Sequence, residues 1–329
     1  MKKKFPPVSI VIVHRNSSST ILKTLEGIRN QEYPVREILI VDNHSNDDSL
    51  DKIRNFSSKH KSLHIKILAK KLNTGVGNSY NIGVKAAKSN NIILMQADGF
   101  LPSKREIDII MKPVLEENNI SVSNSNILMP MYVWSKYNFW EKCMFAPALN
   151  KDLKTFTGKF SYVNKKLYIK AGGYDEKNFN SAVGGEDTDF AVRLRKVGKM
   201  VETDARVIHL HYLGENYSFR SWAGNRKLLA RSYGKIIRMH LNMFLKIQIL
   251  LVKPYLAIFS LMFFLFPYNF LPIVLFVLIY MKPMYLTKST LTNPRIFLLP
   301  FASIALIYYE TFWMIREFFA PVKKWRGVK

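Results

Sequence analysis

The chain has 329 residues, with 49 lysines and arginines against 24 aspartates and glutamates, a formal charge of +25. That length allows one large domain or two ordinary ones, and the charge points to an anionic partner: nucleic acid, an acidic membrane surface or a phosphorylated substrate. The excess is spread, with 39 bases and 22 acids over residues 1–243 and 10 and 2 over 244–329, so no basic arm stands out and nucleic acid ranks last. The single cysteine, Cys143, excludes an intramolecular disulfide and any multi-cysteine metal site.

The opening MKKKFPPVSIVIVHRN superficially resembles a signal peptide. Its apolar run, Val8 to Val13, is too short for that and ends in His14 and Arg15. A continuous β-branched run of this kind reads as a strand covered on both faces. Asn16 and Ser17–Ser19 then offer helix N-caps, and Ile21, Leu25 and Ile28 share one helical face. A second strand, Glu37–Val41, ends at Asp42, and Asp47 stands where it can cap a helix over Ser49–Phe56. His64–Leu68 is a short third strand, and Val76–Lys88 has helical spacing. Asn91–Ala97 is a fourth strand, ending at Asp98, and a helix follows over Ser103–Glu117.

This order predicts an α/β fold with a mostly parallel, twisted sheet flanked by helices, and such sheets bind ligands at the carboxyl ends of their strands. His14, Asp42 and Asp98 all fall there. A polar residue closing an apolar strand is often only the first loop residue, but three on one rim point to a site. Further on, VGGEDTDFAVRLRKVG crowds Glu186, Asp187 and Asp189 at a chain reversal. Acidic residues in a first helical turn complement the helix dipole, so capping alone accounts for the pattern locally.

Composition changes near residue 244. Three apolar runs follow: Ile247–Phe266, Asn269–Leu286 and Ile296–Phe319. A membrane-spanning helix needs about 20 mostly apolar residues. The basic loop Lys282–Arg295 and the tail KKWRGVK predict a cytoplasmic position for both, hence a hairpin over about 247–266 and 269–286. The third run contains Glu310, Arg316 and Glu317, so spanning, re-entry and an interfacial position all stay open for it. The aromatic stretch Trp134–Thr157 reads equally as an acceptor-side loop, a membrane contact or a structural insertion. Arg220, Trp222 and Arg226 read as a phosphate-contacting stretch or a solvated face.

Taken in order, several segments resemble the inverting family 2 glycosyltransferases and their GT-A fold, over about residues 8–235. They are VSIVIVHRN, ILIVDNHSNDDS, LNTGVGNSYNIGVKAA, ILMQADGFLP, AGGYDEKNF and GGEDTDFAVRLRKVG. The glycine pair Gly75 and Gly77 is not a dinucleotide fingerprint, since no third glycine follows at the required spacing.

The resemblance implies a transferase domain over 1–235 and a membrane-anchoring helical region over 236–329. It implies Asp187 as catalytic base, with Glu186 orienting the loop or binding the acceptor and Asp189 as a helix-start residue. Asp42 would read the nucleotide base, and His14, Asn73, Gly75 and Asn81 would shape the nucleotide loop. Asp98 would hold a divalent cation, Mg²⁺ or Mn²⁺, on the diphosphate. Gln96, standing where the family usually has the first acid of an Asp-x-Asp motif, would bond the ribose. His209 or His211, with His211 preferred, would complete the metal site. The implied activity is transfer from a nucleoside-diphosphate sugar to a lipid-linked or membrane-proximal glycan. The chain would be an integral membrane protein with its catalytic domain on the cytoplasmic side. A catalytically inactive, transferase-like membrane scaffold is the alternative. The absence of a Gln-x-x-Arg-Trp motif favours single-sugar over processive transfer.

Overall fold

The computed structural model describes residues 5–151, 153–154, 156–179, 185–210, 216–241, 248–262 and 265–328. Its core is a mixed sheet in the order β3-β2-β1-β4-β8-β6-β9-β5, with β7 paired to β6. The strands are β1 (Val8–His14), β2 (Val35–Asp42), β3 (Ile65–Ala69), β4 (Asn91–Gln96), β5 (Gly99–Phe100), β6 (Ile120–Leu128), β7 (Leu153–Lys154), β8 (Phe160–Asn164) and β9 (Lys199–His209). Strands β3, β2, β1 and β4 are parallel, as the alternation of strands and helices predicts. The second half is not: β8 runs antiparallel to both β4 and β6. That part of the chain gives no βαβ rhythm, so its sequence carried no such signal.

All seven residues of β1 are buried, which explains its unbroken apolar run. Its side chains alternate between two cores. Ile10 and Ile12 pack with Leu25 and Ile28 of α1 (Ile21–Arg29) and with Ile107 and Ile110 of α4 (Glu106–Glu116). Val11 and Val13 pack with Tyr80 and Val84 of α3 (Val76–Ala86) and Phe190 of α8 (Glu186–Leu194). The helix α2 (Ser49–Lys59) adds Ile53 and Phe56 to the first core. The chain leaves β1 to one side through β2 and β3, then returns to pair β4 on the other side. This reversal puts the switch point of the sheet, where such folds bind ligands, at the carboxyl ends of β1 and β4.

The aromatic stretch forms two short helices, α5 (Met131–Trp134) and α6 (Phe139–Phe145), followed across β8 by α7 (Lys165–Lys170). Trp134 and Cys143 are buried with Met281, Met284, Ile296 and Leu299, so this stretch is the seat of the C-terminal helices. Helix α9 (Phe219–Met239) runs unbroken through the expected domain boundary at 235.

The C-terminal runs give shorter helices than their composition predicts. The first supplies α10 (Val252–Ser260) and the second α11 (Leu271–Tyr280) with α12 (Lys282–Leu286). At about 1.5 Å per residue, the 9 and 10 residues of α10 and α11 cannot cross a hydrocarbon core about 30 Å thick. After α13 (Lys288–Leu291), the segment Pro294–Phe319 is long and apolar enough to cross, with a mean hydropathy of 1.5.

The helical part of that segment, α14 (Leu299–Phe319), lies parallel to α9 and is pinned to it by charge. Arg226 donates two hydrogen bonds of 2.7 Å to Glu310, and Lys253 reaches the same carboxylate at 2.8 Å. Further along, Arg231 and Lys235 pair with Glu317 at 2.9 and 3.1 Å. Arg226 is therefore neither a free phosphate contact nor a solvated side chain. It is a buried partner whose loss would strand Glu310. The opposite faces of α10, α11 and α14 leave Ile258, Leu275, Ile279, Phe301 and Phe312 exposed.

Candidate active site

Strands β1 and β2 end in register, with His14 opposite Asp42. The His14 Nε2 atom lies 3.4 Å from Asp42 Oδ1, and Nδ1 lies 3.1 Å from the Ser17 hydroxyl. Burial holds the His14 pKa below its ordinary value, opposed by the negative charges of Asp42 and Asp47. Asp42 Oδ1 also accepts from the Ser45 amide, the strand-end turn that its position allows. Asp47 accepts from the Ser18 and Ser49 amides at 3.0 and 3.1 Å, so it ties the loop after β1 to the start of α2. Burial pushes Asp47 up, but the Ser49 hydroxyl and these two amides outweigh it and hold the carboxyl below the usual range.

Beside Asp42, Asn43 donates to Asn73 at 2.7 Å and accepts from Thr74 N and from Lys70 Nζ at 2.8 Å. Asn73 in turn accepts from Gly75 N at 3.1 Å. The network shapes the loop between β3 and α3, where Asn73 and Gly75 were expected. Lys70 was not singled out, although the rule that marks His14, Asp42 and Asp98 also marks it: it follows the last residue of β3. Half-buried, it has its pKa lowered to about 8 by burial, against the raising effect of Glu176 and Asp42. Asn81 sits elsewhere. Its Nδ2 donates to Tyr174 O and Glu176, and its Oδ1 accepts from the Tyr168 hydroxyl and Tyr174 N, all within 2.9 Å. That fills the capacity of an amide side chain, so Asn81 is an internal tie with no group left for a nucleotide.

One strand over, β4 ends at Gln96, which accepts a hydrogen bond from Lys159 Nζ at 3.3 Å. The chain turns at Asp98, whose Oδ2 lies 3.0 Å from His209 Nε2. Pairing of β5 with β9 sets this contact, since it places Gly99 opposite His209, and Asp98 O accepts from Leu210 N at 2.7 Å. His209 is thus the histidine brought to Asp98, and His211 lies outside the described residues. Among the described residues, no three His, Cys, Asp or Glu side chains form a metal cluster. Asp98 and His209 together offer one oxygen and one nitrogen donor, suited to holding one edge of a Mg²⁺ or Mn²⁺ whose other positions go to phosphate oxygens and water.

Asp187 stands in the first turn of α8. Its Oδ1 accepts from the Tyr174 hydroxyl at 2.7 Å. Burial raises its pKa above the ordinary carboxylate value, opposed by Tyr174, the Lys159 charge and the Gly158 amide. Tyr174 occupies the aromatic slot of the Gly-Gly-Tyr-Asp-Glu segment, so its presence was legible though its partner was not. Gly185 precedes the acids with φ +95°, and a Cβ there would meet Ser232 Cβ at 2.4 Å, so only glycine brings α8 this close to α9. Asp189 is held by Arg193 at 3.0 Å and His240 at 2.8 Å, a structural lock between the two helices. Glu186, next to Asp187 in sequence, is buried.

The acids far apart in sequence share one neighbour. The buried Tyr80 hydroxyl bonds Gly158 O at 2.6 Å, and Asp187, Asp98 and Glu186 all lie near enough to disfavour its ionisation, after burial itself. Lys159 joins the same centre, touching Gln96 and acting on Asp187. Asp42, two strand spacings or about 10 Å from the end of β4, lies along the same rim.

Residues 9–168 match Glycosyl transferase family 2. The matched stretch, just under half of the chain, holds β1 to β4 together with His14, Asp42 and Asp98. The chain is 24% identical over 283 residues to a probable glycosyltransferase, YdaM, of Bacillus subtilis (strain 168), covering 81% of this chain and 63% of that one. It is also 24% identical over 218 residues to a dolichyl N-acetyl-α-D-glucosaminyl phosphate 3-β-D-2,3-diacetamido-2,3-dideoxy-β-D-glucuronosyltransferase of Methanococcus voltae, covering 62% and 66%. The chain therefore spans about two thirds of the length of these curated relatives. Among solved structures, the chain resembles the mannosyltransferase PcManGT from Pyrobaculum calidifontis in complex with GDP-Man and Mn²⁺. The TM-score is 0.60 at 15% identity, over 94% of this chain and 88% of that one. It also resembles GalNAc-T7 with UDP, GalNAc and Mn²⁺, with a TM-score of 0.53 at 17% identity, over 72% and 48%. These likenesses establish the GT-A fold.

Proposed function

We propose that the chain is a membrane-seated inverting glycosyltransferase that moves one sugar from a nucleoside-diphosphate donor to a lipid-linked or membrane-proximal glycan. The observation that carries this reading is the run of contacts that links Asp187 through Tyr174 and the stacked Tyr80 ring to the end of β4, where Lys159 meets Gln96 two residues before Asp98. The base and ribose lie along the rim toward Asp42 and Asn73, and the diphosphate lies at Asp98 and His209. A divalent cation bound there supplies positive charge against the developing charge of the leaving diphosphate. Asp187 takes the proton of the acceptor hydroxyl as that oxygen displaces the diphosphate in line at the anomeric carbon. Burial raises its pKa, which makes it a stronger base than a solvated carboxylate.

The solved neighbours hold GDP-Man or UDP with Mn²⁺, which supports a nucleotide donor and a cation here. The Methanococcus voltae relative, named for a dolichyl phosphate acceptor, supports a lipid-linked acceptor. The apolar faces of α10, α11 and α14 lie in one leaflet, with Lys282, Lys288 and Arg295 at its headgroups and the transferase domain on the cytoplasmic side. The short helices and the charge-pinned α14 favour this seat over a spanning hairpin.

A thermal-shift screen of the full chain in detergent against UDP-, GDP- and dTDP-sugars, with and without Mn²⁺, tests the donor reading. One nucleotide class should stabilise the chain, more strongly with Mn²⁺. Substitution Asp187→Asn should then abolish transfer while leaving that stabilisation intact. No shift with any donor, or full transfer by the variant, refutes the assignment.

A further inference from the structure

Beyond α14 the chain does not leave the molecule. Arg238 holds the turn after the helix, donating to Phe318 O and Ala320 O at 2.9 and 3.0 Å. The following segment runs back over the loop 172–178. Lys323 N donates to Asn178 Oδ1 at 2.9 Å, and Asn178 Nδ2 donates back to Lys323 O at 2.8 Å. At the other end of the loop, Trp325 Nε1 and Val328 N both donate to Gly172 O at 3.0 Å. Four hydrogen bonds therefore bracket seven residues, and within those seven lies Tyr174, the donor to Asp187.

The contact is close as well as polar. A Cβ on Gly172 would meet Gly327 Cα at 3.2 Å, and one on Gly173, at φ +63°, would meet Val328 Cγ2 at 2.5 Å. Asn178 is a node in its own right. Its amide and side chain hold the Asp175 carboxylate at 3.0 and 2.6 Å, and Lys235 of α9 donates to its carbonyl at 3.0 Å.

We infer that residues 320–328 form a strap that positions the loop 172–178 so that Tyr174 can orient Asp187, with Trp325 as its principal positioning residue. This rests on the reading of Asp187 as the base. It adds a function for a basic, tryptophan-bearing tail that neither transfer chemistry nor membrane seating uses. Because the strap is continuous with α14, seating that helix on α9 and arming the base are one structural event. The groups facing Asp187 are Tyr174 and Tyr168 from the bracketed loop and α7, Lys159 before β8, and Tyr80 from α3, with Glu186 adjacent. Of these, Tyr174 sits inside the loop that the strap brackets.

The test uses the full chain in detergent micelles carrying Trp325→Phe with Val328→Pro, which removes both donors to Gly172 O and keeps an aromatic ring. Hydrogen exchange of the amides in 172–178 should become about fivefold faster while β1–β4 stay unchanged. With the donor found in the thermal screen, kcat should fall with little change in donor KM, and its acid limb should move to higher pH, because the Tyr174 hydroxyl no longer lowers the Asp187 pKa. Lys324→Ala, an exposed side chain on the same strap, should leave both readouts as in the parent. Unchanged exchange in 172–178, or faster exchange spread through β1–β4, overturns the strap. An Asp187→Asn chain that keeps its transfer rate would sink the base assignment instead, and the exchange result would still stand or fall on its own.

Discussion

Replacing Tyr174 with Phe deletes one oxygen at the proposed base. The ring keeps its packing, since its contacts with Tyr80 at 5.4 Å and Phe190 at 4.7 Å between centroids involve no hydroxyl. What is lost is a 2.7 Å hydrogen bond to a carboxylate. Hydrogen bonds to charged groups contribute about 1.5–3 kcal/mol, and one pKa unit corresponds to about 1.4 kcal/mol. The Asp187 pKa, already raised by burial, should therefore rise further. The acid limb of a pH profile for kcat/KM should move to higher pH, and the plateau at high pH should drop far less.

Stability gives an independent readout with a definite sign. A carboxyl whose folded pKa lies above its unfolded value costs stability when ionised, and the cost disappears as pH falls below both values. Tyr174→Phe should therefore destabilise the chain near neutrality by about 1.5–3 kcal/mol, and the deficit should close on acidification. An acid limb that stays in place, or a stability deficit independent of pH, would show that this hydrogen bond does not govern the ionisation of Asp187.

Other expectations follow from the same geometry. Asp98→Asn should remove the Mn²⁺ enhancement of donor binding in the thermal screen while leaving the metal-free shift, and His209→Ala, which deletes the second of the two donors, should weaken it; an unaltered Mn²⁺ response counts against the site. If the Lys70 ammonium faces the donor phosphates, binding should weaken as pH passes about 8, where that charge is lost, and Lys70→Met should flatten the pH dependence, as titration calorimetry can check. Gly185→Ala combines a strained φ with a clash against Ser232, costing about 2–5 kcal/mol, which denaturant unfolding would read; a cost below about 1 kcal/mol would mean that α8 and α9 are not in such close contact. Charges placed in the exposed apolar face, as in Leu275→Asp with Phe301→Glu, should release the chain from anionic vesicles in a flotation assay, whereas Leu22→Asp, on the transferase domain, should not.

Strands β1 to β4, the two-sided burial of β1 and the rim positions of His14, Asp42 and Asp98 were legible in sequence. Each depends on a local pattern: a β-branched run, a helical period, a polar residue closing a strand. The antiparallel insertion of β8 was not legible, because strand direction is chosen by partners distant in the chain. Which histidine meets Asp98 was equally hidden, being fixed by the register of β5 on β9. The same holds for Asn81. Its motif marked it as important, but only packing against the Tyr168–Glu176 segment shows that its amide is fully occupied.

Composition alone established that residues 244–329 are apolar and basic. It did not establish the shape that this material takes, because hydropathy sums over residues and is blind to where helices break. Nor did it show that Glu310 and Glu317 answer cations on α9, or that the tail returns to the loop bearing Tyr174. Such pairings join residues about 80 to 150 positions apart. Short-range pattern fixes an element and its buried face, whereas long-range pairing depends on the three-dimensional path that packing selects.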